Sequence, residues 1–426
     1  MLDLRLIREQ PDFVKGELAK LYADPGSVDT VVHLDDQWRT LTKELQELQT
    51  ERNALSKSVS QTRDAAEREP LIEQSKRIGE RIRALDGEVT RIKAELDRAM
   101  LEIPNLPDPD VPVGKDDSEN VIFPYQGEKR QFDFAPKPHW DLGPSLGILD
   151  FERGVRLSGS RFYVLIGAGA RLQRALIQWM LDVHIAQGYK EIYPPYLVSR
   201  EMLVGTGNLP KFTDNLYSIV EDPDKYLIPT SEVPLTNFHR EEILDGADLP
   251  VRLTAYSANF RREQFSAGRD TRGIKRGHQF DKVEMVRLEK PEHSKAALRT
   301  LMSDAEVILR DLEIPYRVIQ MCTGDLSFVA AEKFDLEAWA PGCDEWLEVS
   351  SCGNFTDFQA RRANIRFRRE AGARPEYVHT LNGSGLALPR LMIAIMENYQ
   401  NADGTITIPS IIRPYMHGME RIEQEN

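Results

Sequence analysis

Two long stretches near the N-terminus carry apolar residues at alternating intervals of four and three. The first runs Leu34, Trp38, Leu41, Leu45, Leu48, Arg52, Leu55, Val59; the second runs Leu71, Ser75, Ile78, Ile82, Leu85, Val89, Ile92, Leu96, Ala99, Ile103. Only Arg52 and Ser75 interrupt the apolar series. This spacing is the seam of a coiled coil, and a polar interruption from Thr62 to Pro70 divides it in two. The pattern predicts an antiparallel helical hairpin over about residues 31–103, with arms of about 30 residues reaching roughly 45 Å at the α-helical rise. A dimerising coiled coil would use the same seam; the matched lengths and the polar turn favour self-pairing. The Pro- and Asp-rich run PNLPDPDVPVGKDDS (104–118) reads as a linker. Beyond it, RLQRALIQWMLDVHIAQ (Arg171 to Gln187) has a helical period and stops at Gly188, a helix C-terminal signal. YKEIYPPYLV, KYLIPTSEV, VRLTAYSANF, DKVEMVRL and EWLEVSSCGNF read as strands. Several antiparallel candidates without a βαβ repeat indicate an α+β fold. The expected domains are 1–103 with the hairpin, the linker 104–118, and a larger domain over 119–426.

Between two of those strands lies FRREQFSAGRDTRGIKRGHQFDKVEMV (Phe260 to Val286), in which Gly268, Gly273 and Gly277 alternate with Arg269, Arg272, Lys275 and Arg276. It predicts two antiparallel strands joined by a long basic loop. A guanidinium on a rigid strand holds a phosphate oxygen in a fixed direction, and glycine allows backbone to approach a bulky polyanion. Arg261 and Glu263, two residues apart, are expected on one strand face, where both can meet one ligand. The arrangement points to a nucleotide site, although a basic run standing alone is more often a solvated hairpin.

Composition narrows the possibilities. The net charge is −13 with 29% charged residues, so any nucleic-acid contact must come from local patches, such as the group Lys76, Arg77, Arg81 and Arg83 on the hairpin. No apolar run reaches the length of a membrane span, and MLDLRLIREQ lacks the apolar core of a signal peptide; a cytoplasmic location is expected. Cys322, Cys343 and Cys352 form no C-x-x-C pair, which predicts reduced thiols rather than disulfides or a zinc cluster.

Four scattered elements complete the picture: GYKEIYPPYLV (Gly188 to Val198), FRRE (Phe260 to Glu263), EVSSCGNFTDFQARR (Glu348 to Arg362), and GSGLALPRLMIAIMENYQ (Gly383 to Gln400), read as a small-residue turn entering an apolar helix. Together they resemble the three signature motifs of class II aminoacyl-tRNA synthetases. TSEVPLT, GRDTRG, HQFDKVE, TLNGSGLA and IPSIIRPYM extend the resemblance to the bacterial-type seryl-tRNA synthetase family over essentially the whole chain. The resemblance implies an antiparallel-sheet catalytic domain behind a helical arm that lies along tRNA-Ser. It also implies a homodimer, each arm serving the partner's active site.

On the family pattern, Arg261 and Arg390 are the catalytic cations at the two ends of a bent ATP, and Glu263 fixes the adenine end. Arg262, Val349 and Ser350 belong to the same ATP-binding motifs, Phe280 stacks on adenine, and Gly277 meets the nucleotide through backbone. Glu348 and Ser351 would ligate Mg²⁺, as hard oxygen donors suit that cation. Thr230, Ser231, Glu232, Glu284, Asn382 and Ser384 match the L-serine pocket, where polar partners can demand a substrate hydroxyl. Arg52, Lys57, Lys76, Arg77, Arg81 and Arg83 are candidates for tRNA phosphates. His278 is assigned a structural or nucleotide-contact role. The chain departs from the family at Gln264 and Phe265 (usually Ala-Gly), Gly277 (usually apolar) and Gly353 (usually serine). The expected function is ATP-dependent activation of L-serine and its transfer to the 3′ end of tRNA-Ser. The alternatives are an amino acid:carrier-protein ligase, which would lack the arm, a silent paralogue, which would lose Arg261, Glu348 or Arg390, and a specialised duplicate.

Overall fold

A computed structural model describes residues 1–264 and 272–424; Phe265, Gly268 and Arg269 of the basic loop lie outside the described residues. The chain divides into two compact units, Met1–Pro104 and Asn105–Asn426.

In the first unit, short helices Leu4–Glu9 and Pro11–Lys20 precede α1 (Gly26–Gln61) and α2 (Ala65–Leu101). The two long helices have 36 and 37 residues, about 54 Å each, and pack on one another. Leu45, Ile78, Leu85, Ile92 and Leu96 of the seam are buried, and Arg52 is its one exposed member. The turn is tighter than expected, because only Thr62, Arg63 and Asp64 separate the helices. Asp64 caps α2 by accepting the backbone N–H of Ala66 at 2.7 Å. Pro70 therefore falls inside α2, near an exposed end where water can satisfy the carbonyl it leaves unpaired. At the other end of the unit, Arg8 clasps the buried Asp35 through two bonds of 2.7 and 3.0 Å, a bidentate pairing that anchors the short helices.

The second unit is built on an eight-stranded sheet. Its strands are β1 (Val121–Ile122), β2 (Lys190–Glu191), β3 (Val251–Phe260), β4 (Gln279–Glu289), β5 (Tyr316–Gln320), β6 (Glu332–Ala340), β7 (Glu345–Asn354) and β8 (His379–Ala387). They lie in the order β1-β5-β6-β7-β8-β4-β3-β2, antiparallel except for β2 beside β3. β3 and β4 pair from Val251↔Leu288 to Phe260↔Gln279, the hairpin expected around the basic loop. Helices α3 (Ala168–Ala186), α5 (Ser294–Asp311) and α6 (Leu388–Asn398) cover one face; α4 is the short helix Glu232–Thr236. Alternation sorts the side chains: Val283, Met285, Leu336, Cys352 and Leu381 join Leu176, Leu301 and Leu391 in the core. Lys282, Glu284, Asp335, Ser351 and Asn382 are left to the opposite, polar face.

Several expected elements take another form. In KYLIPTSEV the strand ends at Leu227 and Glu232 opens α4. YKEIYPPYLV breaks into β2 and a separate strand Leu197–Ser199, since Pro194 and Pro195 offer no N–H to a ladder. GSGLALPR is not a turn, for β8 runs through it directly into α6. The stretch expected as a linker lies along the second unit, where the backbone N–H groups of Asn105 and Asp108 donate to Phe328 and Ala331.

Candidate active site

A cavity of about 410 Å³ opens on the polar face of the sheet. Its wall includes Thr230, Glu232, Arg261, Glu263, Gly277, Phe280, Glu348, Val349, Ser351, Asn382, Ser384 and Arg390. Tertiary folding thus brings together residues that are up to 160 positions apart in sequence, from Thr230 to Arg390.

Arginines stand in the wall. Arg261 follows the last residue of β3, and its Nε donates to the Pro229 carbonyl at 3.1 Å. Its guanidinium lies 5.0 Å from the centroid of the Phe280 ring, a cation–π contact. The strand does not continue to Glu263, which adopts φ 51°. Arg261 and Glu263 therefore share the cavity through a turn, not through strand alternation as expected. Arg276 comes within 3.4 Å of the Glu263 carboxylate. Arg390, near the start of α6, donates through Nε to the Lys275 carbonyl at 3.2 Å and through Nη1 to the Glu348 carbonyl at 2.8 Å. Arg262 is exposed and is not part of the wall.

Glu348 and Ser351 are three apart, so simple alternation would send them to opposite faces. A register shift between Leu336 and Glu337 prevents this: Glu337 pairs with Glu348, Leu336 with Ser350 and Asp335 with Ser351. Val349 is the extra residue of a β-bulge, which re-aims the strand. Partial enclosure would raise the pKa of Glu348, but Arg390, Lys333, Arg276 and Arg261 outweigh it and hold the carboxylate below its ordinary value. Asp335 is buried, pushed up to about 7 by that burial, and its Oδ1 has no hydrogen-bond partner. A carboxylate and a hydroxyl on one face, beside an orphaned carboxylate oxygen, are the hard donors Mg²⁺ requires.

Glu284 is fully buried behind the wall. It accepts from Thr230 Oγ1 at 3.1 Å and from Asn382 Nδ2 at 2.9 Å and pairs with the Lys282 ammonium. Glu232 lines the cavity, and burial, reinforced by the neighbouring Glu284, pushes its pKa up to about 7. Ser231 and Ser350 lie behind the wall. Ser231 bonds to Ser257, and Ser350 Oγ donates to the Ser384 carbonyl at 2.6 Å.

Two of the departures, Gly277 and Gly353, acquire physical reasons. A Cβ on Gly277 would lie 2.8 Å from the Gln279 carbonyl, and one on Gly353 would lie 2.9 Å from Phe355 Cζ, so both positions admit close neighbours. The backbone N–H of Gln264 donates to Asn215 Oδ1 at 3.2 Å. His278 bonds to Tyr217 through Nδ1 at 3.2 Å and packs edge-on against Phe162, and burial lowers its pKa; it supports the loop exit.

Sequence reasoning passed over Lys282 and Lys333, which line the cavity together with Lys275 of the basic loop, and His139, which had no visible partner. The buried His139 bonds to Glu397 through Nδ1 at 2.9 Å and accepts the Ile274 N–H through Nε2 at 3.1 Å, pinning the end of the basic loop. His139 is identified by contacts across more than 100 residues.

On the first unit, Arg52, Lys57, Lys76, Arg77, Arg81 and Arg83 are all exposed. Arg81 is tied to Glu44 at 2.7 Å and Arg77 approaches Glu73 at 3.5 Å. Among the described residues, no helix is long and apolar enough to cross a membrane.

The sheet and its cavity define a class II aminoacyl-tRNA synthetase core, and the profile of the tRNA synthetase class II core domain (G, H, P, S and T) matches residues 217–399. The profile of the seryl-tRNA synthetase N-terminal domain matches residues 1–107. A serine–tRNA ligase of Thermomicrobium roseum is 59% identical over 426 residues, covering 100% of this chain and 95% of that protein. Seryl-tRNA synthetase from Pyrococcus horikoshii complexed with ATP superposes with a TM-score of 0.93 at 41% identity over 100% of both chains. Cytoplasmic serine–tRNA ligase from Naegleria fowleri in complex with AMP gives 0.88 at 33% identity, covering 100% of this chain and 99% of that one. The chain belongs to the seryl-tRNA synthetase family and is an enzyme with that family's activity, serine–tRNA ligation. Full-length similarity to serine–tRNA ligases leaves the carrier-protein ligase without support.

Proposed function

We propose that this pocket activates L-serine with ATP and that the acyl group then passes to the 3′ end of tRNA-Ser. The observation carrying the reading is a single cavity whose wall holds Arg261 and Arg390 together with Thr230, Glu232 and Asn382, with the clasped Glu284 behind it. Serine's carboxylate oxygen attacks the α-phosphorus, forming a P–O bond as the bond to pyrophosphate breaks. Arg261 and Arg390 stabilise the charge on the phosphoryl oxygens and the leaving group, the main requirement of phosphoryl transfer. Mg²⁺ held by Glu348 and Ser351 would neutralise further phosphate charge. Glu232 and Glu284 offer negative charge to the substrate ammonium, and Thr230, Asn382 and Ser384 offer hydroxyl and amide partners. In the second step the tRNA 3′-hydroxyl attacks the acyl carbon and AMP leaves.

Unit Met1–Pro104 is assigned to tRNA-Ser, whose backbone phosphates would meet the exposed cations of α1 and α2. A homodimer is supported by Tyr193 and Leu197, apolar side chains left 83% and 45% exposed within the first signature motif. A cytoplasmic location belongs to the same reading. The test is ATP–pyrophosphate exchange with serine, alanine and threonine, followed by charging of total tRNA. Serine-selective exchange with stable charging is expected; exchange without charging would overturn the assignment of the first unit.

A further inference from the structure

Behind the cavity wall, the sequence DFQARR supplies a side chain assigned no role so far. Gln359, on the short helix Phe358–Ala363, is completely buried, as is Thr380 on β8. Thr380 Oγ1 bonds to Gln359 Oε1 at 2.7 Å. Gln359 Nε2 donates to Glu232 Oε1 at 2.7 Å and to the Thr206 carbonyl at 3.2 Å. The orientation of the amide is thereby decided by chemistry. Its NH₂ faces two groups that accept, a carboxylate and a carbonyl, and its oxygen faces a hydroxyl that can donate. Turning the amide over would set oxygen against oxygen at both acceptors.

We infer that Gln359, oriented by Thr380, is a positioning residue for substrate recognition: it aims the Glu232 carboxylate at the bound ammonium group and favours its charged form. This rests on the serine reading of the pocket. The need for such a donor follows from the surroundings of Glu232. Burial and Glu284 oppose its ionisation, while Gln359, Lys282 and Arg261 favour it. Gln359 is the uncharged group in that set, so it supports the carboxylate without adding a cation that would compete with the substrate for it. Loss of a hydrogen bond to a charged group leaves the carboxylate less stable as an anion and free to turn.

The test uses the full-length enzyme and Gln359→Met, with Thr380→Val as a gentler break in the same relay. Serine KM in pyrophosphate exchange should rise on the order of tenfold in Gln359→Met, with the ATP KM unchanged. The pH above which serine binding develops should move upward. Thr380→Val should shift both in the same direction, and the double substitution should add little to Gln359→Met alone, as expected for residues acting through one chain. A purely structural role would lower thermal stability and affect both substrates alike. Should Gln359→Met fail to fold, the serine KM and pH profile of Thr380→Val decide. Unaltered serine KM and pH profile in folded variants would overturn the relay alone. Wild-type enzyme that exchanges with no preference for serine would overturn the serine reading, and the relay with it.

Discussion

On the proposed serine reading of the pocket, Glu232 should make serine binding pH-dependent in a calculable way. Its carboxyl is pushed from an ordinary 4.5 up to about 7, first by burial and then by Glu284, against the pull of Gln359, Lys282 and Arg261. An ammonium substrate binds the ionised form. With a pKa near 7 the ionised fraction is about 0.1 at pH 6 and about 0.9 at pH 8, so the apparent serine KM should be about tenfold higher at pH 6. The direction follows from linkage: the free site holds a proton that binding must release, so raising the pH favours binding. The same shift acts on folding with the opposite sense. Between about pH 4.5 and 7 the folded chain keeps a proton that the unfolded chain has lost. The Glu232 contribution to stability is thus fully present below 4.5 and declines as pH rises through 7, and saturating serine should offset that decline. The assay is serine-dependent pyrophosphate exchange from pH 5.5 to 8.5 at saturating ATP, with Glu232→Gln as control. A serine KM that stays flat below pH 7, or that keeps its slope in Glu232→Gln, would refute the argument.

Other perturbations probe Arg390, Glu348 and Ser351 in the pocket, and the hairpin. Arg390→Lys keeps the charge but loses the planar fork that reaches the Lys275 and Glu348 carbonyls; exchange kcat should fall about 100- to 1,000-fold with little change in Tm. Glu348→Gln and Ser351→Ala should each raise the Mg²⁺ concentration for half-maximal exchange by at least about tenfold, and Mn²⁺ binding followed by EPR with a non-hydrolysable ATP analogue should weaken in parallel. Replacing Lys57, Lys76 and Arg83 with alanine should raise the tRNA KM in charging. It should also flatten the salt dependence by about one unit of log–log slope for each phosphate no longer neutralised, while exchange, which involves no tRNA, reports the integrity of the pocket.

Much was legible in the sequence because the relevant physics is local. The four-three spacing from Leu34 to Ile103 requires only that a helix bury one stripe, and it located both arms; the turn was misjudged because one proline near an exposed helix end costs less than one in the middle. The alternation in β3 and β4 likewise exposed the hairpin around the basic loop. The motif residues Arg261, Glu348 and Arg390 could be recognised by type and order, but their meeting around one cavity depends on strand order, which no local pattern encodes.

Tertiary structure alone decided how the site is assembled. Three residues of separation would place Glu348 and Ser351 on opposite faces, and the bulge at Val349, visible only in the register of β6 against β7, turns them to the same one. Lys282, Lys333 and Asp335 read as ordinary strand charges until the helices on the far side of the sheet leave their face open to the cavity. Gln359 and Thr380, 21 residues apart, look like any buried polar pair until Glu232 is found at the end of their chain. Side-chain period and helix seams are properties of neighbours in sequence, and the chain states them directly. The field around a carboxylate depends on which distant groups share its burial, and that exists only once the sheet has closed around it.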